Sequence, residues 1–306
     1  MMEVLEPLIE LKGHKGSIIS LEYSESSVIG DHLLASGSED NTCRIWDLKS
    51  TRVAKGIKGF SEPVTSIKFA QKSSLPLIYI ASGTKVHTFD LRNESVMLTE
   101  PIQTYEFSKD EINQIDVNEN NKFMATADDE GVVNVIWSGG MDSKVYEWDF
   151  SRGLPTNIYD MSNKEPSAKQ MFNPPFVYNM AVSSDGEWIA AGLGDTSIQL
   201  LSPPNKKQKK SELQEKRLED GHNTLVNCLS FVSTTHLLSG SANGQVALWD
   251  LNTLEKRAFK TNDSFGRLNS LCVLESDNKD AMLQFAAAGT SQSNQSGALS
   301  IFTIKA

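Results

Sequence analysis

One stretch of this chain occurs twice in matched register, and that repeat limits the possible folds more than any other feature. The first copy is LLASGSEDNTCRIWDLK at 33–49, and the second is LLSGSANGQVALWDL at 237–251. In each copy a Ser stands ten residues before the Trp, and a Gly-His pair lies upstream, with the His 32 residues before Trp46 and 27 before Trp249. Such spaced copies indicate a repeat architecture, in which one unit cannot bury both of its faces and therefore stacks on its neighbours.

The matched spacings resemble those of WD40 repeats, in which a four-stranded unit, or blade, commonly links Trp, Ser, His and Asp in one chain of hydrogen bonds. The resemblance assigns these structural roles to Trp46, Ser36, His14 and Asp40 in the first copy, and to Trp249, Ser239 and His222 in the second. A hydrolase triad of His14, Ser36 and Asp40 is the alternative. The structural interpretation is favoured because the Trp closes the chain of hydrogen bonds and because the pattern recurs.

The rest of the chain contains degenerate copies of this repeat, in which the strand-like alternation of residues continues. Phe89 and Leu201 stand where a Trp would close two of them. We therefore predict an all-β fold, a WD40 β-propeller that forms a single domain over 1–306 and is nominally seven-bladed. The N-terminal residues 3–12 are expected to complete the last blade, and the polar stretch 152–175 is expected to be a surface loop.

The repeat period breaks in the middle of the chain. Trp148 closes one copy, yet it follows Ile136, the closing position of the copy before it, by only 12 residues. Roughly one blade's worth of chain is therefore absent between Ile136 and Trp137, when compared with a period of ~40 to 45 residues. Either a seven-bladed layout has an incomplete fourth blade, or VVNVIW and KVYEWDF pair as a plain hairpin and six blades result. The sequence leaves both open.

Composition and charge exclude several classes of function. A net charge of -10 argues against a general binder of nucleic acid or of anionic membranes, which needs a basic face. No apolar run approaches the ~18 to 20 residues that cross a bilayer, and the first residues are acidic where a secretory signal is basic. The three cysteines have no CxxC spacing and indicate reduced thiols in a cytoplasmic or nuclear protein. A lysine cluster resembles a short nuclear-localisation signal or a solvated loop: Lys206, Lys207, Lys209 and Lys210.

No constellation of residues predicts catalysis or a cofactor. The five histidines are dispersed, and neither a GxSxG elbow nor a P-loop occurs. The acidic run Asp128-Asp129-Glu130 lies in one hairpin turn, which supplies fewer oxygens than the about six to eight that Ca²⁺ takes. We therefore predict no enzyme activity, no cofactor and no metal site.

The order of these copies resembles the WD repeat-containing protein 53 family over nearly the whole chain. The resemblance rests on VTSIKF with KVHTFDLR, on EINQIDVNENNKFMATADDEGVV, on QMFNPP before a Trp-less blade and on LLSGSANGQVALWDLN. It implies a substrate receptor of a cullin-4 RING ubiquitin ligase, with proteins as its partners, that is a monomer within the complex. The family is seven-bladed, so the break after Ile136 is a departure from it.

The resemblance also implies a docking element for the damage-binding adaptor of that ligase. The family docks through a [W/F/Y/V]-D-x-R box, which here matches Phe89, Asp90 and Arg92 in FDLR. The corresponding segments WDLK at 46–49 and WDLN at 249–252 lack the Arg. After Trp148-Asp149, Arg152 is one residue out of register for the box. The alternative is that Asp90 and Arg92 only cap a turn with a local ion pair. The protein is then a structural subunit of another multiprotein assembly.

Overall fold

The structure is a computed structural model that describes most of the chain. The described residues are 3–27, 30–70, 76–106, 108, 110–117, 124–128, 137–149, 154–162, 173–202, 214–261, 265–274, 282–293 and 296–305. Every regular element among them is a β-strand. The all-β class predicted from the sequence is therefore confirmed.

The strands are numbered in chain order. They are β1 (Glu3–Leu5), β2 (Ile9–Glu10), β3 (Ile18–Ser27), β4 (Gly30–Ser38), β5 (Cys43–Asp47), β6 (Arg52–Ile57), β7 (Val64–Phe69), β8 (Leu77–Ser82), β9 (Lys85–Asp90), β10 (Met97–Leu98), β11 (Gln103–Tyr105), β12 (Ile112–Val117), β13 (Met124–Asp128), β14 (Trp137–Gly139), β15 (Lys144–Asp149), β16 (Leu154–Asp160), β17 (Val177–Val182), β18 (Ile189–Leu193), β19 (Ile198–Ser202), β20 (Gln214–Leu218), β21 (Val226–Phe231), β22 (His236–Ser241), β23 (Gln245–Asp250), β24 (Lys256–Thr261), β25 (Phe265–Leu274), β26 (Met282–Ser291) and β27 (Gly297–Lys305).

The described strands form seven sheets. Sheet I contains β3 to β6 and β10, sheet II β7 to β9 and β11, sheet III β12 and β13, sheet IV β14 to β16, sheet V β17 to β20, sheet VI β21 to β24 and β1, and sheet VII β25 to β27 and β2. Two compact units contain them. Sheets I, II, III and VII lie in Pro7–Val135 with Ser264–Ala306, and sheets IV, V and VI lie in Met1–Glu6 with Ile136–Asp263. The single domain over 1–306 stays a prediction.

Within each unit, apolar layers between neighbouring sheets make up the core. Leu33 and Ile45 of sheet I pack with Ile67 and Phe89 of sheet II, and each of the four is at most 2% exposed. Strands β4 and β8 lie in the middle of their sheets and are buried on both faces. They therefore consist of nearly continuous apolar and small residues, whereas a strand with one solvated face alternates.

The N-terminal residues form two short strands, where one strand over 3–12 was expected. β2 pairs antiparallel with β27 and completes sheet VII as predicted, with Ile9 opposite Ile301. β1 instead pairs parallel with β24, at the edge of sheet VI. Pro7 lies between them, and because its nitrogen carries no hydrogen it cannot donate to a strand ladder.

The chain after the break also differs from the prediction. Residues 154–160, which were expected to lie in a loop over 152–175, form β16, the outer strand of sheet IV. Among its described side chains only Tyr159 is buried, so the stretch lacks the alternation that predicts a strand. β15 pairs with β14 and β16, not with β13 of sheet III. Sheet IV is thus a sheet of three described strands. The segment VVNVI at 132–136, on which the choice between the two layouts depends, lies outside the described residues.

Candidate functional site: hydrogen-bonded networks and the turn after Phe89

Four side chains of sheet I and the segment before it form one chain of hydrogen bonds. Trp46 Nε1 donates to Ser36 Oγ at 2.8 Å, and Ser36 Oγ lies 2.9 Å from His14 Nε2. His14 Nδ1 lies 3.0 Å from Asp40 Oδ2. The structure thus brings together the four residues in the order that the WD40 resemblance assigns. The chain ties β4, β5 and the β4–β5 turn to the residues that precede β3.

Asp40 forms the outer end of this network. Its carboxylate accepts hydrogen bonds from Thr42 Oγ1 at 2.5 Å and from the backbone N–H of Lys15 at 2.8 Å, besides its contact with His14. Burial by itself raises the pKa of Asp40, but the hydrogen bonds outweigh burial and hold this pKa well below its usual value. The carboxylate therefore stays ionised in the physiological pH range.

Sheet VI contains the same arrangement with a serine in place of the carboxylate. Trp249 Nε1 donates to Ser239 Oγ at 2.8 Å, and Ser239 Oγ lies 2.7 Å from His222 Nε2. Ser241 Oγ lies 3.1 Å from His222 Nδ1. Burial, together with the charge of Lys256, lowers the pKa of His222 to about 4. This imidazole is therefore neutral at pH 7.

The geometry argues against a hydrolase triad of His14, Ser36 and Asp40. Ser36 has no exposed surface, and its hydroxyl is already bonded to Trp46 and His14. A nucleophilic serine has to reach its substrate. Ser36 is therefore a structural residue.

Several sequence hypotheses concern groups outside the described set. They are the side chains of Asp128-Asp129-Glu130, Arg152 and the lysines at 206–210. Within the part of the chain that is described, no three His, Cys, Asp or Glu side chains are grouped so that they could hold a metal ion. That same part contains no helix long and apolar enough to cross a membrane.

The FDLR segment ends β9 and forms the turn after it. Phe89 is buried in the core between sheets I and II. Asp90 Oδ1 accepts the backbone N–H of Arg92 at 2.9 Å and lies 3.0 Å from Nε, while Oδ2 lies 2.5 Å from Nη2. These hydrogen bonds lower the pKa of Asp90 and raise that of Arg92. The Arg92 side chain is 52% exposed, against 21% for Asp90.

The strands β5 and β23 end in the same type of turn. Asp47 accepts the backbone N–H of Lys49 at 2.9 Å, and Asp250 accepts that of Asn252 at 2.8 Å. The aspartate therefore caps the turn in all three places, as Asp side chains commonly do. The difference lies in the residue that donates: among these three turns, only the one at Arg92 presents a guanidinium.

The chain that follows this turn is held against sheet I. Lys55 Nζ of β6 donates to the carbonyl oxygen of Ser95 at 3.0 Å, and β10 then pairs parallel with β6. Val96 and Met97 remain 66% and 47% exposed. We call Arg92, Val96 and Met97 the 92–97 surface. It combines one cation with two exposed apolar side chains on a backbone that hydrogen bonds hold in place.

Sequence reasoning missed Arg217 of β20. Its Nε donates to Ser197 Oγ at 3.0 Å and its Nη1 to the carbonyl oxygen of Met161 at 2.8 Å. It also forms an ion pair with Asp195, in the sheet that has Leu201 at the Trp position. No local pattern marks Arg217, because it lies in a charged stretch 22 residues from its carboxylate partner.

Comparison with known proteins identifies the repeated unit. Two stretches, residues 5–47 and 213–250, match the family model for the WD domain, G-beta repeat. The chain carries WD40 repeats. The matched stretches contain Trp46 and Trp249 with their Ser and His partners, which are the two copies with an intact network.

The chain is also similar to known proteins over much of its length. The WD repeat-containing protein 53 homolog of Dictyostelium discoideum is 26% identical over 84% of this chain and 83% of its own length. That alignment has 322 positions although the chain has 306 residues, so the relative contains residues that this chain lacks. The nuclear distribution protein nudF of Aspergillus niger is 23% identical over 65% of this chain, which spans 38% of that protein.

A solved structure has the same fold. The β-propeller domain of Cps50 (Swd1) from Myceliophteria thermophila matches 97% of this chain and 99% of its own, with a TM-score of 0.69 and 14% identity. At that identity the likeness concerns the fold alone. The chain therefore has a β-propeller fold, as the repeats predict.

Proposed function

We propose that this WD40 chain is a non-catalytic protein-interaction scaffold that serves as a substrate receptor of a cullin-4 RING ubiquitin ligase. It docks on the damage-binding adaptor of the ligase through Phe89, Asp90 and Arg92. The observation that carries the proposal is the half-exposed guanidinium of Arg92, presented by a turn of fixed geometry. The resemblance to the WD repeat-containing protein 53 family supports it.

The ion pair with Asp90 leaves Arg92 able to bind a partner. It uses the N–H of Nε and one N–H of Nη2, and since a guanidinium has five N–H donors, three remain for an acidic pocket. The planar fork suits a carboxylate better than a lysine does. Asp90 also holds the guanidinium in one orientation, which lowers the entropy cost of docking.

The apolar part of the 92–97 surface adds to this docking element. Val96 and Met97 are exposed apolar side chains that follow the turn. Interfaces concentrate their binding energy in arginine and large side chains from which neighbouring residues exclude water. Because Lys55 already fixes this backbone, little further ordering is needed when a partner covers it.

The proposal includes a location in the cytoplasm or nucleus. Cys43 and Cys272 are thiols that form no disulfide. Burial raises the pKa of Cys272 to about 12 and also raises that of Cys43, so both stay protonated and unreactive. Unpaired thiols of this kind are typical of reducing compartments.

Affinity purification from cells, with and without a neddylation block, tests the proposal. The wild-type chain should capture the adaptor, and Arg92→Ala should bind about thirty-fold more weakly, as expected for an interfacial arginine hot spot. Arg52→Ala removes an exposed arginine of β6 outside the turn and should capture the adaptor like the wild type. Circular dichroism should be unchanged in both variants.

Full capture of the adaptor by Arg92→Ala would contradict this docking mode. The ion pair of Asp90 and Arg92 would then only stabilise the turn, together with the hydrogen bond from the backbone N–H of Arg92 to Asp90. A structural subunit of another multiprotein assembly would be the remaining function.

A further inference from the structure

A lysine of sheet I holds the chain that follows the FDLR turn of sheet II. Lys55 Nζ donates to the carbonyl oxygens of Asn93 and Ser95, and the backbone N–H of Ser95 donates to Asn93 Oδ1 at 3.0 Å. The hydrogen bond from the Arg92 N–H closes the turn before these residues, and β6 pairs with β10 after them. Lys55 therefore fastens the segment that joins Arg92 to the apolar part of the 92–97 surface.

The position of Lys55 in its sheet recurs elsewhere in the chain. It belongs to a row of paired residues that starts two positions before a glycine of the second strand and crosses the third strand to the fourth. In three sheets this row starts at an alanine: Ala35, Ile45 and Lys55 in sheet I, Ala190, Leu200 and Lys216 in sheet V, and Ala287, Ser300 and Glu10 in sheet VII.

Each of these three sheets packs on a sheet that has an aspartate-capped turn. Sheet I packs on sheet II, sheet V on sheet VI, and sheet VII on sheet I, through contacts between their first strands. Lys216 Nζ of sheet V donates to the carbonyl oxygen of Leu251, in the turn of sheet VI, at 3.4 Å. In two places, therefore, a lysine of one fourth strand holds the turn of the next sheet.

The turn at Asp47 of sheet I differs from these two. The residue at the lysine position of sheet VII is Glu10, and a carboxylate cannot donate a hydrogen bond to a carbonyl oxygen. Glu10 instead forms an ion pair with Lys12 at 3.0 Å. Among the three aspartate-capped turns, only the one at Asp90 combines a guanidinium with a lysine from the preceding sheet.

We propose that Lys55 is a positioning residue of the adaptor-docking site. The docking element then consists of the FDLR turn of one sheet and a lysine of the sheet before it. This inference rests on the proposed function and adds to it a specificity-determining residue outside the FDLR box. Lys55 acts through the backbone that it holds, and it sets the placement of Arg92 relative to Val96 and Met97.

The chemistry of the lysine explains why its loss would weaken docking. An ammonium has three N–H donors, and a hydrogen bond from a charged donor is roughly twice as strong as one between neutral groups. Two of these donors hold the carbonyl oxygens of Asn93 and Ser95. Without them the segment 93–95 is less ordered, and a partner that covers the 92–97 surface has to order it at a cost in entropy.

Lys55→Met tests this role, because methionine keeps an unbranched side chain but has neither the charge nor the donors. The full 306-residue variant should bind the purified adaptor about five to ten times more weakly than the wild type. Amide hydrogen exchange at 93–97 should be faster in this variant without the adaptor. Lys55→Arg keeps a cation with N–H donors and should restore most of the affinity and of the protection.

Lys216→Met is the matched control. Lys216 occupies the same row as Lys55 but lies in the other compact unit, and the turn that it holds has Asn252 in place of the arginine. The substitution should leave both the affinity for the adaptor and the hydrogen exchange at 93–97 unchanged. Lys55→Gln also removes the charge, and it replaces Lys55→Met if that variant does not fold.

Unchanged affinity in the Lys55 variants, with binding still lost in Arg92→Ala, would overturn this inference and leave the docking turn in place. Equal weakening by Lys55→Met and Lys216→Met would also overturn it, because the effect would then be one of general stability. Failure of the wild-type chain to bind the adaptor, or full binding by Arg92→Ala, would instead overturn the proposed function, and this inference with it.

Discussion

Arg217 Nη2 lies 2.5 Å from Asp195 Oδ2, and the two side chains are only 16% and 5% exposed. Asp195 holds in sheet V the turn position that Asp40 holds in sheet I, but its partner is an arginine of the fourth strand. The guanidinium also donates to the carbonyl oxygen of Met161. A buried ion pair thus ties the turn to the outer strand in a sheet that lacks the Trp network.

Arg217→Ala is expected to lower the free energy of unfolding by about 3 kcal/mol or more, because the buried carboxylate of Asp195 loses this cation. Urea denaturation measures the change. Arg257→Ala removes an exposed arginine from β24, the fourth strand of sheet VI, and should cost less than ~1 kcal/mol. Equal losses from the two substitutions would contradict a stabilising role specific to the ion pair.

Trp46→Phe is expected to lower the free energy of unfolding by roughly 1 to 3 kcal/mol, because the buried hydroxyl of Ser36 loses a hydrogen-bond donor. His14→Ala should have an effect of the same size. Neither change should abolish partner binding. Adaptor capture measures the binding, and a thermal melt measures the stability. An unchanged melting temperature with lost binding would instead make His14 part of a functional site.

Stability should fall below neutral pH because of His222. Its pKa is lowered from 6.5 to about 4 in the folded chain, so its contribution is fully present above 6.5 and is lost as the pH falls towards 4. Between pH 7.5 and 5.5 it accounts for about 1.4 kcal/mol of lost unfolding free energy. Asp40 contributes nothing in this window, since a carboxyl group with a lowered pKa loses its contribution only at more acidic pH.

Urea denaturation of His222→Gln at the same two pH values is the control for that window. The variant should be less stable than the wild type at pH 7.5, because the hydrogen bonds to Ser239 and Ser241 change. Its loss between pH 7.5 and 5.5 should be smaller than that of the wild type by about 1.4 kcal/mol. The same pH dependence in both proteins would show that another group titrates.

Lys49→Arg should create a second docking turn for the adaptor. The backbone N–H of Lys49 already bonds to Asp47 as that of Arg92 does to Asp90, so the turn needs no rearrangement. The double variant Arg92→Ala/Lys49→Arg should recover part of the adaptor capture that Arg92→Ala loses. No recovery would mean that the turn alone is insufficient and that Val96 and Met97 are required beside it.

The sequence by itself determined the repeat, the all-β class and the Trp, Ser and His members of the networks around Trp46 and Trp249. These features are local to each copy. In both copies the Ser stands ten residues before the Trp and a Gly-His pair lies upstream, so the repeated pattern indicates which side chains meet. The aspartate-capped turns at Asp47, Asp90 and Asp250 follow the same rule, since each aspartate binds the N–H two residues after it.

Only the tertiary structure decided how the strands are distributed and covered. β16 has one buried side chain among those described, so its sequence lacks the alternation of apolar and polar residues that predicts a strand. The partner of Asp195 lies 22 residues away on another strand, at no recurring interval. Val182, the last residue of β17, is 51% exposed, whereas Phe69, the last residue of β7, is 5% exposed, although each strand is the first of its sheet. Hydrogen bonding along a repeat is encoded locally, whereas burial is a property of neighbours that the chain brings together only on folding.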